Sequence, residues 1–168
     1  MAKKKASGQT PATRAAQAAG PEYRVVTVAH TDELDGGYAL DTSRVLGRDP
    51  ATIFKTLMAE VDGSPVCAVV PANAMLNLKA LARAAGGKRA RMMPPSSAER
   101  LTGYVTGGIS PLGQRTASPV FIDDSAQDLT SVLISGGRRS LSLDVDPREL
   151  ARALSARFAD LADVGRHT

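Results

Sequence analysis

A single cysteine, Cys67, leaves the chain without a partner for an intrachain disulfide, and nothing points to an oxidising compartment. Tryptophan is absent and aromatics make up 4% of the 168 residues, so a core must be assembled from Leu, Val, Ile, Ala and Met. No apolar run approaches the roughly 18 residues that a membrane span needs. Histidine is as scarce: with only His30 and His167 beside the lone cysteine, no zinc site of familiar ligand spacing can be built, and no metal is expected. A Ser-His-Asp site would have to use His30, which lies in a polar, turn-like stretch and is disfavoured there. Neither a Walker loop nor a dinucleotide fingerprint is present, and no cofactor is expected. The Lys3-Lys4-Lys5 cluster runs into Ala6-Ser7-Gly8-Gln9-Thr10 instead of an apolar stretch. It is therefore not read as a secretory signal, and a cytoplasmic protein with no membrane partner is expected.

What is present is ordinary globular composition, 43% hydrophobic and 23% charged, enough to close one core. The net charge of +4 permits a polyanionic partner and serves solubility equally well. Residues 1–9 read as a disordered basic tail, and 10–164 as one domain. Thr10-Pro11 starts a helix over 11–19 that Gly20 stops. A strand follows over 23–28, then a short helix over 41–46. Asp62-Gly63 between two apolar runs predicts a hairpin spanning 52–70. Helical spacing covers 76–85, a short strand 89–92 and a short helix 97–101. Strands are predicted over 120–122, 131–135 and 141–145, the last two joined through residues 136–139. Asp146 caps a final helix that buries Leu150, Leu154, Phe158 and Leu161. The order implies one α/β domain with a mixed, mostly antiparallel sheet, and it does not fix the topology.

Three features could carry chemistry. Alternation places Lys55 in a row with Ile53, Leu57, Ala59 and Val61, where a lysine must snorkel, find a partner or line a cavity. The stretch Gly103 to Gly113 is either a tight sheet connection or a loop whose exposed N–H groups hold an anion or a developing oxyanion. Ser135-Gly136-Gly137-Arg138-Arg139 is either a hairpin turn with solvated arginines or a phosphate or carboxylate holder. Cys67, inside Val66-Cys67-Ala68-Val69-Val70, reads as a small buried apolar side chain.

Taken together, Phe54-Lys55-Thr56-Leu57, Thr102-Gly103-Tyr104 running into Gly107-Gly108-Ile109-Ser110-Pro111-Leu112-Gly113-Gln114, and Ser135-Gly136-Gly137 with its two arginines occur in the order and separation found in YbaK/EbsC-type aminoacyl-tRNA deacylases. The resemblance spans 23–162, and the Gly-Gly-Ile-Ser-Pro-Leu-Gly run resembles the branch acting on Cys-tRNA(Pro). It implies a partly closed sheet with surrounding helices and a small central pocket. It implies Lys55 as the indispensable catalytic residue. It also implies a substrate pocket lined by Tyr38, Thr56, Ser135 and Gly136, with Gly107, Gly108, Ile109, Ser110 and Pro111 surrounding the ester. Two positions depart: Val28 stands where relatives often carry tyrosine, and Ser142 where they often carry an acid, with Asp144 two residues on. The implied partners are aminoacyl-tRNA and, further, prolyl-tRNA synthetase. Arg138, Arg139, Lys88, Arg89, Arg91 and Arg115 are candidates for the tRNA body. The expected activity is trans-editing of Cys-tRNA(Pro), with backbone N–H groups of residues 108–110 as oxyanion donors. The alternatives are editing of alanyl- or seryl-tRNA, or a non-catalytic module that binds tRNA or a synthetase.

Overall fold

The structure, a computed structural model, describes residues 9–30 and 37–164. The expected tail therefore lies outside the described residues except for Gln9, and His167 lies outside them too.

Local codes set the first elements. Helix α1 (Pro11–Ala19) carries a reciprocal cap: Thr13 N–H donates to Thr10 Oγ1 at 3.1 Å and Thr10 N–H to Thr13 Oγ1 at 2.8 Å. Gly20 ends the helix in the left-handed region. Strand β1 (Tyr23–Thr27) follows, then helix α2 (Tyr38–Leu46), which begins one turn earlier than its apolar pattern suggested. Gly37 supplies the first carbonyl, accepting from Asp41 N–H at 3.1 Å. Strands β2 (Phe54–Val61) and β3 (Ser64–Pro71) form the expected hairpin, with Asp62 and Gly63 both at positive φ (50° and 85°) as a type I′ turn requires.

The middle of the chain is more divided than its spacing implied. The run 76–85 splits into strand β4 (Ala74–Leu76) and helix α3 (Leu78–Ala84), because Leu76 pairs with Ala162. Asn77 caps α3 by accepting from Ala80 N–H at 2.9 Å. Strand β5 (Ala90–Met92) and helix α4 (Pro95–Thr102) follow, then strand β6 (Val120–Asp123). Strand β7 (Val132–Arg138) runs through the two glycines, with a register break between Ser135 and Arg138, so the turn to strand β8 (Leu141–Val145) is tighter than expected. Helix α5 (Pro147–Leu154) stops at Ser155, whose φ is 52°. Phe158 therefore does not continue the helix: it lies in strand β9 (Arg157–Ala159), parallel to β6. Leu161 is buried just before strand β10 (Ala162–Val164), its N–H donating to Asp123 Oδ1 at 2.9 Å.

The result is a single α/β domain with three sheets. Their orders are β1-β8-β7, β10-β4 and β5-β2-β3-β6-β9, antiparallel except for β3-β6 and β6-β9. No sheet closes into a barrel. A parallel bridge between Ile53 and Leu133 joins the three-stranded and five-stranded sheets at one end. The larger core cluster fills the space between them, with Phe54, Met58, Cys67, Val69, Ile122, Ile134, Leu143 and Leu150. The other face of the hairpin packs Ala59, Val61, Val66, Ala68 and Val70 against Leu81 of α3 and Phe121.

Candidate active site

The sheet leaves a gap where the chemistry-bearing residues sit. One edge of β2 pairs with β5 over Ala59–Val61, and Met58 C=O accepts from Met93 N–H at 3.1 Å. At the other end the edge meets β7 through the Ile53–Leu133 bridge. Among the described residues no strand pairs with that edge between these two points. A cavity of about 410 Å³ opens there, lined by every residue from Ile53 to Met58.

Of the residues singled out in the sequence, Lys55, Tyr38, Thr56, Gly107, Ile109 and Ser135 line this cavity. Gly108, Ser110, Pro111 and Gly136 do not; they stand behind the lining. Lys55 is half-buried. Its Nζ approaches Ala72 C=O at 3.4 Å, and no carboxylate of a described residue pairs with it. Burial holds its pKa below the ordinary lysine value, since the charged form loses hydration. Thr56 Oγ1 is buried and has no hydrogen-bond partner among the described residues, an orphaned polar atom on a residue that lines the cavity and hence a candidate contact for a ligand. Among the described residues no carboxylate lines the cavity.

The glycine loop presses against this cavity and is braced from behind. Gly107 has φ 88°, and a Cβ there would fall 2.4 Å from the Tyr38 ring, so only glycine permits the approach. Tyr104 Oη donates to Leu112 C=O at 2.6 Å and Gln114 Nε2 to Ser110 C=O at 3.0 Å. Ser110 is fully buried and its Oγ accepts from Leu112 N–H at 3.2 Å. One expectation fails here. Gly108 N–H donates to Val105 C=O at 2.9 Å, so it closes a turn and is not offered to an oxyanion. The amides of Gly107 and Ile109 make no hydrogen bond within the described residues, and both residues line the cavity.

The departures also find their places. Ser142 lines the cavity, whereas Asp144 is held by Arg48 at 3.1 and 3.2 Å and by Arg24 at 3.3 Å. Burial raises the Asp144 pKa, but hydrogen bonds and charge from Arg48 outweigh it and keep the carboxyl below its usual range. It is committed away from the cavity and does not replace an acid at 142. Val28 is buried, with its N–H donating to Ser140 C=O at 2.9 Å.

Sequence reasoning set His30 aside, yet it lines the cavity with Asp41 behind it. The missing signal is spatial: the two lie eleven residues apart on different elements. Met92, Met93 and Pro95, likewise not singled out, form an apolar wall.

Residues 38–153 match the family model of the aminoacyl-tRNA editing domain. The chain is 32% identical over 162 residues to EbsC of Enterococcus faecalis, named as a Cys-tRNA(Pro)/Cys-tRNA(Cys) deacylase, covering 96% of this chain and 98% of that one. Among solved structures, protein APE2540 superposes with a TM-score of 0.82 at 26% identity, covering 92% of this chain and all of the other (100%). A structure described as a trans-editing enzyme for prolyl-tRNA synthetase superposes with a TM-score of 0.78 at 24% identity, covering 92% and 99%, and shares the fold.

Proposed function

Because this chain belongs to the aminoacyl-tRNA editing-domain family, we propose that it is a trans-editing deacylase that cleaves the ester joining a mischarged amino acid to tRNA, with Cys-tRNA(Pro) as its substrate. The observation that carries this reading is Lys55: a half-buried ammonium that, among the described residues, has no carboxylate partner, on the wall of a cavity beside a glycine loop whose Gly107 and Ile109 amides are unbonded within those residues.

Ester cleavage places negative charge on the carbonyl oxygen. Donors aimed at that oxygen lower the barrier, and one such donor contributes roughly 3 kcal/mol. Gly107 and Ile109 N–H take this role in the proposal, Ile109 as first expected and Gly107 in place of Gly108, and Lys55 supplies the cation. Thr56 Oγ1 and Ser135 Oγ contact the aminoacyl group. Cys67, the lone thiol, is not a nucleophile: it is fully buried, and burial pushes its pKa up to about 12. The resemblance to the Cys-tRNA(Pro) branch implies that the attacking group is the substrate's own thiol, with an activated water as the alternative. The cysteinyl thiolate bonds to its own carbonyl carbon, and the bond to the ribose oxygen breaks. That oxygen takes up the proton the thiol gave up, giving a cyclic thioester and free tRNA.

The test is deacylation of Cys-tRNA(Pro) beside Ala-tRNA(Pro), with wild type and Lys55→Ala. Turnover of the cysteinyl substrate that falls at least ~100-fold in Lys55→Ala, at unchanged circular dichroism, supports the reading. Undiminished turnover in the variant overturns the role of Lys55, and preference for the alanyl substrate overturns the cysteinyl assignment.

A further inference from the structure

His30 joins three segments that are distant in sequence. Its Nδ1 meets Asp41 Oδ2 at 2.8 Å, and its Nε2 meets the carbonyl oxygen of Arg139. Asp41 is fully buried on α2 and also receives Arg44 Nη2 at 3.4 Å. The imidazole stands edge-on to Tyr38, with centroids 5.1 Å apart. Arg139 continues the chain of contacts: its guanidinium lies over the Tyr38 ring at 5.0 Å, and its Nε donates to Thr106 C=O at 2.9 Å. Thr106 precedes Gly107, whose Cα packs against that same ring.

These contacts form a closed circuit from His30 through Asp41 and α2 to Tyr38, then through Gly107, Thr106 and Arg139 back to His30. His30, Tyr38, Thr106, Gly107 and Arg139 all line the cavity. Both ring nitrogens are engaged by protein oxygens, so the imidazole is held by the protein and presents neither nitrogen free to the cavity. A buried carboxylate behind a histidine fixes the ring's orientation, and here the oriented ring fixes main chain.

We infer that His30 and Asp41 are a positioning pair that, through Tyr38 and Arg139, holds the Thr106–Gly107 edge of the cavity in register with Lys55; this rests on the deacylase reading above. The pair acts on the placement of the reacting ester, so its loss lowers kcat more than it raises KM. Residues of one unit are also non-additive: once the circuit is cut at one point, a second cut adds little.

The experiment compares His30→Gln, Arg139→Ala and the double variant in single-turnover and steady-state deacylation of Cys-tRNA(Pro). Hydrogen exchange is followed at the Thr106–Gly108 amides. Each single variant is expected to lose about 10- to 100-fold in kcat with KM changed less than threefold, and the double variant no more than the worse single. Exchange at the Thr106 and Gly108 amides, which donate to Glu99 Oε2 and Val105 C=O, is expected to accelerate in His30→Gln, with Tm within a few degrees of wild type. Multiplicative losses, or unchanged exchange at that edge, overturn the inference. If wild type itself deacylates nothing, the functional reading falls, and the exchange measurement still decides whether His30 holds the loop. Should His30→Gln fail to fold, Arg139→Lys, which keeps the charge but lacks the Nε donor, carries the kinetic arm.

Discussion

At the scale of single residues, Lys55 is held in tension between stability and use. Its pKa is depressed by burial, so the protonated form is disfavoured in the folded state. The sign follows: the penalty on stability is present at pH below the folded pKa and is relieved as pH rises through it. Lys55→Met should therefore raise stability at neutral pH while abolishing turnover, checked by thermal melts beside deacylation. In wild type, activity that needs the ammonium should fall on the alkaline side at a pH below the ordinary lysine value of about 10.4, read from a kcat/KM profile. Cys67 should resist iodoacetamide at pH 8 until the protein is unfolded, since burial keeps it a thiol. The Lys55 signal was legible because it interrupts an apolar row of one strand. His30 was not, because its meaning depends on Asp41 and Arg139, which sequence distance hides.

At the scale of elements, α1 braces both glycine motifs from outside the cavity. Thr10 Oγ1 donates to Gly136 C=O at 2.5 Å, and a Cβ at Gly113 would fall 2.3 Å from Pro11 C=O. Gly113 also has φ 67°, so Gly113→Ala meets both a backbone penalty and a collision that nothing soft can absorb. It should lower stability by about 2 kcal/mol or more, and deacylation should weaken with it, measured by urea unfolding and kcat. Thr10→Ala should cost about 1 kcal/mol by loss of the cap alone. Helix α1 and the β2–β3 turn were readable because caps and type I′ turns are written in a few adjacent residues. The last helix was misread beyond Leu154 because Phe158 and Leu161 keep its spacing while answering to distant partners. Phe158 pairs with Ile122, and the Asp123 carboxylate gathers the N–H groups of Leu161 and Ala162.

At the scale of the whole molecule, the basic excess acquires a direction. Among the described residues Arg91 is neutralised by Glu60 at 2.7 Å, whereas Lys88, Arg89, Arg115, Arg138 and Arg139 have no carboxylate partner within salt-bridge distance. Arg138 and Arg139 also line the cavity. Binding of tRNA should weaken linearly in log Kd against log salt, and Arg138→Ala should reduce the slope by about 1, measured by filter binding across a salt series. The topology that brings Arg138 and Arg139 to the Lys55 cavity was not legible, because parallel pairing and the Ile53–Leu133 bridge have no local signature. That bridge also fixes an order in time. The lysine hairpin is complete early in synthesis, but part of its wall comes from β7 and β8, which are made well after it. A nascent chain stalled after Asp128 would carry Lys55 without the part of the wall that Ser135, Arg138, Arg139, Leu141 and Ser142 supply. Chains that stop short of β7 thus hold Lys55 and the glycine loop without the Ser135 wall, and they should be inert toward charged tRNA.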